Sequence, residues 1–328
     1  MVEKVTLLLF ATAIAMVHTA DIESLKCGSL PYTYCSSIPD TELRFLLLGD
    51  FGGIPVFPFY TKVQKDVAKA AARVAGQLKT HFQMTLGDNF YFKGVKDVND
   101  KRFRRTFERV YGYQELRTPW LISLGNHDHN GNAQAQIDYS KKSERWILPH
   151  FYFSILVKVE RGDFTVHMIM VDTDPILNQK GQEQLAWLEE TLRTSPADYK
   201  VVAAHHTIFS VGGHGNTVQL LQQINPLLHK YKATLYVSGH DHNLQHLKHT
   251  AEGHTVRYVV AGMASSAFVL LNRENHPQRD IVFTYGAKNI VGRLGFGRGG
   301  FGAVVIGKDG VDVSFYDKKA NLLNKSGF

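Results

Sequence analysis

Six apolar runs along the chain each give way to polar residues. Arg44 to Leu48 leads to Gly49-Asp50, Gln83 to Leu86 to Gly87-Asp88, and Trp120 to Leu124 to Gly125-Asn126-His127-Asp128. Val166 to Val171 leads to Asp172, Val201 to Ala204 to His205-His206, and Thr234 to Ser238 to Gly239-His240-Asp241-His242. Short runs rich in β-branched and aliphatic residues predict buried strands. Between them Val63, Val67, Ala71, Val74 and Leu78 recur at helical spacing, as do Leu185, Leu188 and Leu192. Asp50 to Asp88 and Asp88 to Asn126 are each 38 residues, and His205 to His240 is 35, each about one strand, helix, strand unit. In open α/β sheets ligands bind beyond the carboxyl ends of the strands, where every polar cluster here falls. After residue 254 the runs Thr255 to Ala261, Ile281 to Tyr285, Ala303 to Ile306 and Val311 to Phe315 lack intervening helices, which predicts antiparallel closure. The expected fold is α/β: two mixed β-sheets packed as a sandwich and flanked by helices. No linker or composition shift divides it, so residues 43–328 are expected to form a single domain.

Composition narrows the chemistry. The 328 residues are 44% apolar and 20% charged, which excludes disorder, a disulfide-stapled miniprotein and a polytopic membrane protein. Both cysteines, Cys27 and Cys35, lie near the N-terminus, so a site deeper in the chain must use oxygen and imidazole donors, for which 16 histidines are available. Residues 1–20 read as a secretory signal: Lys4, an apolar run from Val5 to Val17, and small residues at Ala13, Ala15 and Ala20, with cleavage after Ala15 or Ala20. The run is short for a membrane span, so no stable membrane anchor is expected, with an uncleaved anchor as the alternative. In an oxidising route Cys27 and Cys35 are expected to form a local disulfide in an N-terminal segment, residues 21–42, with a free or intermolecular pair as the alternative. One glycosylation sequon, Asn324-Lys325-Ser326, is present. The net charge of +7 is a weak signal over this length; its densest cluster, Lys101 to Arg105, reads as a solvated helix face, and no nucleic-acid partner is expected. The glycine-rich stretch Gly292 to Gly302 reads as a bend into the strand that follows.

If the strand ends converge, Asp50, Asp88, Tyr91, Asn126, His205, His240 and His242 share one pocket. Seven oxygen and nitrogen donors exceed what one tetrahedral zinc needs and suit two metal ions sharing a carboxylate. Asp88, at a central strand end with Tyr91 three residues on, is the natural bridge. A free phenol loses its proton near pH 10, so a tyrosine ligand calls for a strongly Lewis-acidic ion such as Fe(III). Asn126, His205 and His240 suit a divalent ion: Fe(II), Zn or Mn. A lone Gly-Asp is usually a turn; the clusters carry weight jointly, in this order and after these strands.

Those blocks resemble the purple acid phosphatases of the small, tartrate-resistant type, within the metallophosphoesterase superfamily. Gly49-Asp50-Phe51-Gly52, Gly87-Asp88-Asn89-Phe90-Tyr91, Gly125-Asn126-His127-Asp128, Val202-Ala203-Ala204-His205 and Gly239-His240-Asp241-His242 carry the resemblance, which covers roughly residues 43–318. It implies that Asp50, Asp88, Tyr91 and His242 hold Fe(III) and that Asp88, Asn126, His205 and His240 hold the divalent ion. It also implies that His127 and His214 bind substrate and protonate the leaving group during metal-hydroxide attack on phosphate monoesters, small phosphoesters or phosphoproteins. The implied protein is a monomeric acid phosphatase, secreted or lysosomal. The alternatives are a non-catalytic scaffold of the same fold, or a phosphodiesterase or nucleotidase. Members of the mammalian type carry a long protease-sensitive insert after the strand equivalent to the one ending at Val171-Asp172. Here only Thr173 to Gln184 precede Leu185-Ala186-Trp187-Leu188, so no latency of that kind is expected. His206 departs from the family pattern and reads as a packed side chain or an extra phosphate contact.

Overall fold

The computed structural model describes residues 25–266, 277, 280–286 and 297–328; the signal read over residues 1–20 and the first part of the Gly292 to Gly302 bend lie outside them. β1 (Thr33–Ile38) precedes a strand, helix, strand unit made of β2 (Leu43–Leu48), α1 (Lys62–Leu78) and β3 (Phe82–Thr85). Next come β4 (Trp120–Leu121), α2 (Asn126–His129), α3 (Ala133–Tyr139) and β5 (Trp146–Ile147), then β6 (Phe153–Val159) and β7 (Phe164–Met170). Helices α4 (Thr173–Leu177) and α5 (Gln182–Thr194) lead to β8 (Tyr199–Ala203), and α6 (Val218–Gln223) and α7 (Asn225–Lys230) to β9 (Leu235–Ser238). The chain closes with β10 (Leu244–Ala251), β11 (His254–Ala261), β12 (Ile281–Tyr285), β13 (Gly300–Gly307), β14 (Gly310–Asp317) and β15 (Leu322–Gly327).

The strands form two mixed sheets, ordered β1-β6-β7-β8-β9-β11-β10-β12 and β15-β14-β13-β2-β3-β4-β5. Side-chain alternation along β7 shows the layering, because successive strand residues point to opposite faces. Val166, Met168 and Met170 join a core shared with Phe45, Leu47, Met84 and Val304 of the other sheet. Ile169 and Val171 turn outward to pack under Trp187, Leu188 and Leu192 of α5 and Leu220 and Leu228 of α6 and α7. Helix α1 starts where Thr61 Oγ1 accepts the Gln64 N–H at 2.9 Å and buries Val63, Val67, Ala71 and Val74. Two sheets face to face with helices outside are the expected architecture.

Several expectations change in detail. The interval from Asp88 to Asn126 holds no α-helix before its strand, only a wide turn of helix at Phe103–Glu108 and a tight one at Gln114–Leu116. Within Lys101 to Arg105, read as solvated, Arg102 is only 6% exposed: its guanidinium donates to the carbonyls of Gly94 at 2.9 Å and Gly52 at 2.7 Å. In the N-terminal segment the expected Cys27–Cys35 disulfide is present, and the segment adds a strand the sequence did not predict, β1, which pairs in parallel with β6. The Asn324 sequon lies within β15, with its amide oxygen buried.

Candidate metal centre

Strands β2, β3, β8 and β9 end along one crevice, and the chain turns sharply as it leaves them. Asp50, Asp88 and His240 sit at φ of 59°, 53° and 67°, the left-handed region that side-chain-bearing residues seldom occupy and that clusters at functional sites. Backbone bonds lace the turns together: Asp50 N–H donates to the Gly87 carbonyl, and Gly239 N–H to that of His205, each at 3.0 Å. Glycine before the polar residue is a steric need. A Cβ on Gly125 would stand 2.3 Å from Asp88 Oδ1, and one on Gly87 2.5 Å from His205 Nδ1.

The seven donors fall into two groups that share Asp88. In one, the Tyr91 hydroxyl lies 3.0 Å from Asp50 Oδ1 and 2.7 Å from His242 Nε2, which is itself 3.2 Å from Asp50 Oδ1. Asp50, Asp88 and His242 each bring a donor atom within 4.8 Å of the others. In the second group, His205 Nε2 lies 3.0 Å from Asn126 Oδ1 and 3.2 Å from His240 Nδ1. Asp88 Oδ1 is 3.5 Å from His205 Nε2, so this carboxylate reaches both groups. His205 donates its Nδ1–H to the Leu86 carbonyl at 2.8 Å, which leaves Nε2 as its lone-pair nitrogen, as metal-ligating histidines are commonly held.

His127 and His214 border the same crevice. His127 Nδ1 donates to the Phe92 carbonyl at 2.8 Å, and Nε2 stands 3.9 Å from Asp88 Oδ2. Its backbone N–H donates to Asp88 Oδ1 at 3.0 Å. His214 is exposed, with its ring centroid 4.2 Å from that of His240 and its backbone N–H on Asp241 Oδ1 at 3.2 Å.

The electrostatics describe a pocket that holds protons until cations replace them. Burial, with Asp50 nearby, pushes the Asp88 carboxyl up despite the opposing pull of His205. Burial and the carboxylates of Asp50 and Asp88 push the Tyr91 phenol well above its ordinary value, and its O–H donates to Asp50. For His205 and His242 burial works downward, but Asp88 and Asp50 outweigh it and both are raised. His240 is driven down by burial and by the imidazoles of His205 and His206. Cations entering such a site displace protons, and a set of carboxylates, phenol, amide oxygen and imidazoles without sulfur fits hard or borderline ions.

Some supporting residues escaped the sequence reading. Buried Asp128 accepts the backbone N–H of Asn89 at 3.0 Å, Phe90 at 3.2 Å and Gly125 at 2.9 Å, and the Gln136 side chain at 2.8 Å, tying the Asp88–Tyr91 turn to the Asn126 turn. Asp172 binds His129 Nε2 through both oxygens at 3.0 and 2.8 Å. The neighbouring Thr173 Oγ1 lies 2.8 Å from His206 Nδ1. The signal for Asp128 was its place in the Gly-Asn-His-Asp block; that for Asp172 was the end of an apolar run.

A crevice of carboxylates and imidazoles at the strand ends of a double-sheet sandwich defines a metallophosphoesterase, and the calcineurin-like phosphoesterase family matches residues 43–244. Rat tartrate-resistant acid phosphatase type 5 is 37% identical over 90% of this chain and 93% of its own length. Purple acid phosphatase 4 of Arabidopsis thaliana is 31% identical over 88% and 84%. This chain belongs to the purple acid phosphatase family. Among solved structures, the fold is shared with GAP50, the anchor in the inner membrane complex of Plasmodium, at a TM-score of 0.72, 23% identity and 88% of each chain. It is also shared with the purple acid phosphatase PPD1 of yellow lupin, at 0.64, 13% identity and 88% of this chain against 54% of that one.

Proposed function

We propose that this protein hydrolyses phosphate monoesters at acid pH, with Asp50, Asp88, Tyr91 and His242 holding Fe(III) and Asp88, Asn126, His205 and His240 holding Fe(II), Zn or Mn. A bound pair of cations supplies Lewis acidity toward phosphate oxygens and lowers the pKa of water. The observation that carries the reading is Asp88, whose carboxylate lies within reach of both donor groups.

The protein's own residues orient the ester and manage the leaving-group proton. With Nδ1–H committed to the Phe92 carbonyl, His127 gains and loses its proton at Nε2, the nitrogen that faces Asp88. An imidazolium donates a proton to a departing alkoxide and is left neutral, a role suited to acid pH. His214, beside His240 and open to solvent, binds the outer phosphate oxygens. The substrates are small phosphoesters or phosphoproteins, met outside the cell or in the lysosome by a monomer with no nucleic-acid partner. Among the described residues no helix is long and apolar enough to cross a membrane. A non-catalytic scaffold of this fold has no need of the full donor set and of His127.

The test uses two leaving groups. His127→Ala is expected to lower kcat/KM for an alkyl phosphate by roughly 10²- to 10⁴-fold, and less for p-nitrophenyl phosphate, whose leaving group needs little protonation. Equal turnover of both substrates by variant and wild type removes His127 as proton donor.

A further inference from the structure

We propose that His206 is a third imidazole of the divalent half-site, offering Nε2 to the same ion as His205 and His240. The inference rests on the reading of Asp88, Asn126, His205 and His240 as that ion's ligands.

His206 follows His205 where the chain leaves β8, and it is held from three directions. Its Nδ1 lies 2.8 Å from Thr173 Oγ1, its backbone N–H donates to the same oxygen at 3.3 Å, and its carbonyl accepts from the Tyr236 hydroxyl at 2.7 Å. The ring centroid lies 4.9 Å from that of His205 and 4.5 Å from that of His240. One ring nitrogen of each of the three histidines falls within 4.8 Å of the others.

Nδ1 of His206 meets an oxygen, as it does in His205, and the residue is only 6% exposed. An imidazole held through Nδ1 and clustered with two further imidazoles leaves Nε2 for a metal ion, with Thr173 in the outer role that a carbonyl or carboxylate commonly fills.

The experiment follows Co(II), the probe ion, through its visible ligand-field bands as it is titrated into metal-free protein, for wild type, His206→Phe and Thr173→Val. His206→Phe keeps a flat ring of similar size, and Thr173→Val keeps the shape while removing the oxygen that anchors Nδ1. The expected result is that His206→Phe binds Co(II) at least about 10-fold more weakly with altered bands, and that Thr173→Val also weakens binding, by roughly 10-fold. Wild-type affinity and unchanged bands in His206→Phe overturn the inference alone. A wild-type protein that takes up no Co(II) overturns the divalent-site reading and the inference together. Should His206→Phe fail to fold, Thr173→Val decides: weaker binding with altered bands supports the inference, and wild-type behaviour overturns it.

Discussion

Gly125 gives Asp88 its place: an added methyl group 2.3 Å from Oδ1 must displace either the carboxylate or the Asn126 turn. Gly125→Ala is therefore expected to lose metal and activity together, measured as bound metal per chain and as kcat/KM; a fully loaded, active variant contradicts the steric argument. His129 makes a prediction about pH. Burial pushes its imidazole down, but the Asp172 hydrogen bond and charge outweigh burial and raise it to about 9. A folded-state value above the ordinary one stabilises fully below about pH 6.5, and the contribution is lost as pH rises through about 9. His129→Gln is expected to lower unfolding free energy by roughly 2 kcal/mol near pH 6 and to match wild type above the raised value, as read by urea denaturation. A deficit that is constant across the range contradicts the ion-pair account. At this scale the sequence exposed the donors themselves, because each stands at or within a few residues of the end of an apolar run, and Asp50, Asp88, Asn126 and His240 directly follow a glycine. It hid Arg102, whose charged neighbours made it look solvated, and Asp128, whose work is to accept backbone N–H groups brought together only by folding.

The strands that were legible are short and largely buried runs leading to a polar strand end, such as β2, β3, β8 and β9. β1 (TYCSSI), β10 (LQHLKHTA) and β15 (LLNKSG) carry too many polar residues for that signal and are recognised by their pairing. The missed β1 is tied to its disulfide. Cys27 and Cys35 close a loop of sequence separation 8, for which chain entropy gives about 2–3 kcal/mol. Replacing both by Ser is expected to lower Tm while leaving kcat/KM unchanged, since the edge strand lies away from the crevice; a large loss of activity at a temperature where the variant is folded contradicts that separation. The connection after β7 is compact as well. Only residues 178–181 join α4 to α5, with no room for the long insert of mammalian-type relatives. Limited proteolysis is expected to leave activity unchanged or reduced, and a large rise contradicts an enzyme that is active without cleavage.

For the molecule as a whole, the two sheets bring strand ends from residues 50 to 242 to one crevice, so that ligands far apart in sequence become neighbours. Asp88 joins the donor groups, and Tyr91 gives one of them a phenol that burial and two carboxylates keep protonated unless a strong Lewis acid is present. The central claim, a paired centre with Fe(III) on Tyr91, is tested most directly by the visible spectrum of the purified protein. The account predicts a phenolate-to-Fe(III) charge-transfer band in wild type that disappears in Tyr91→Phe. A colourless protein with full phosphatase activity, or a band that survives in Tyr91→Phe, would contradict it.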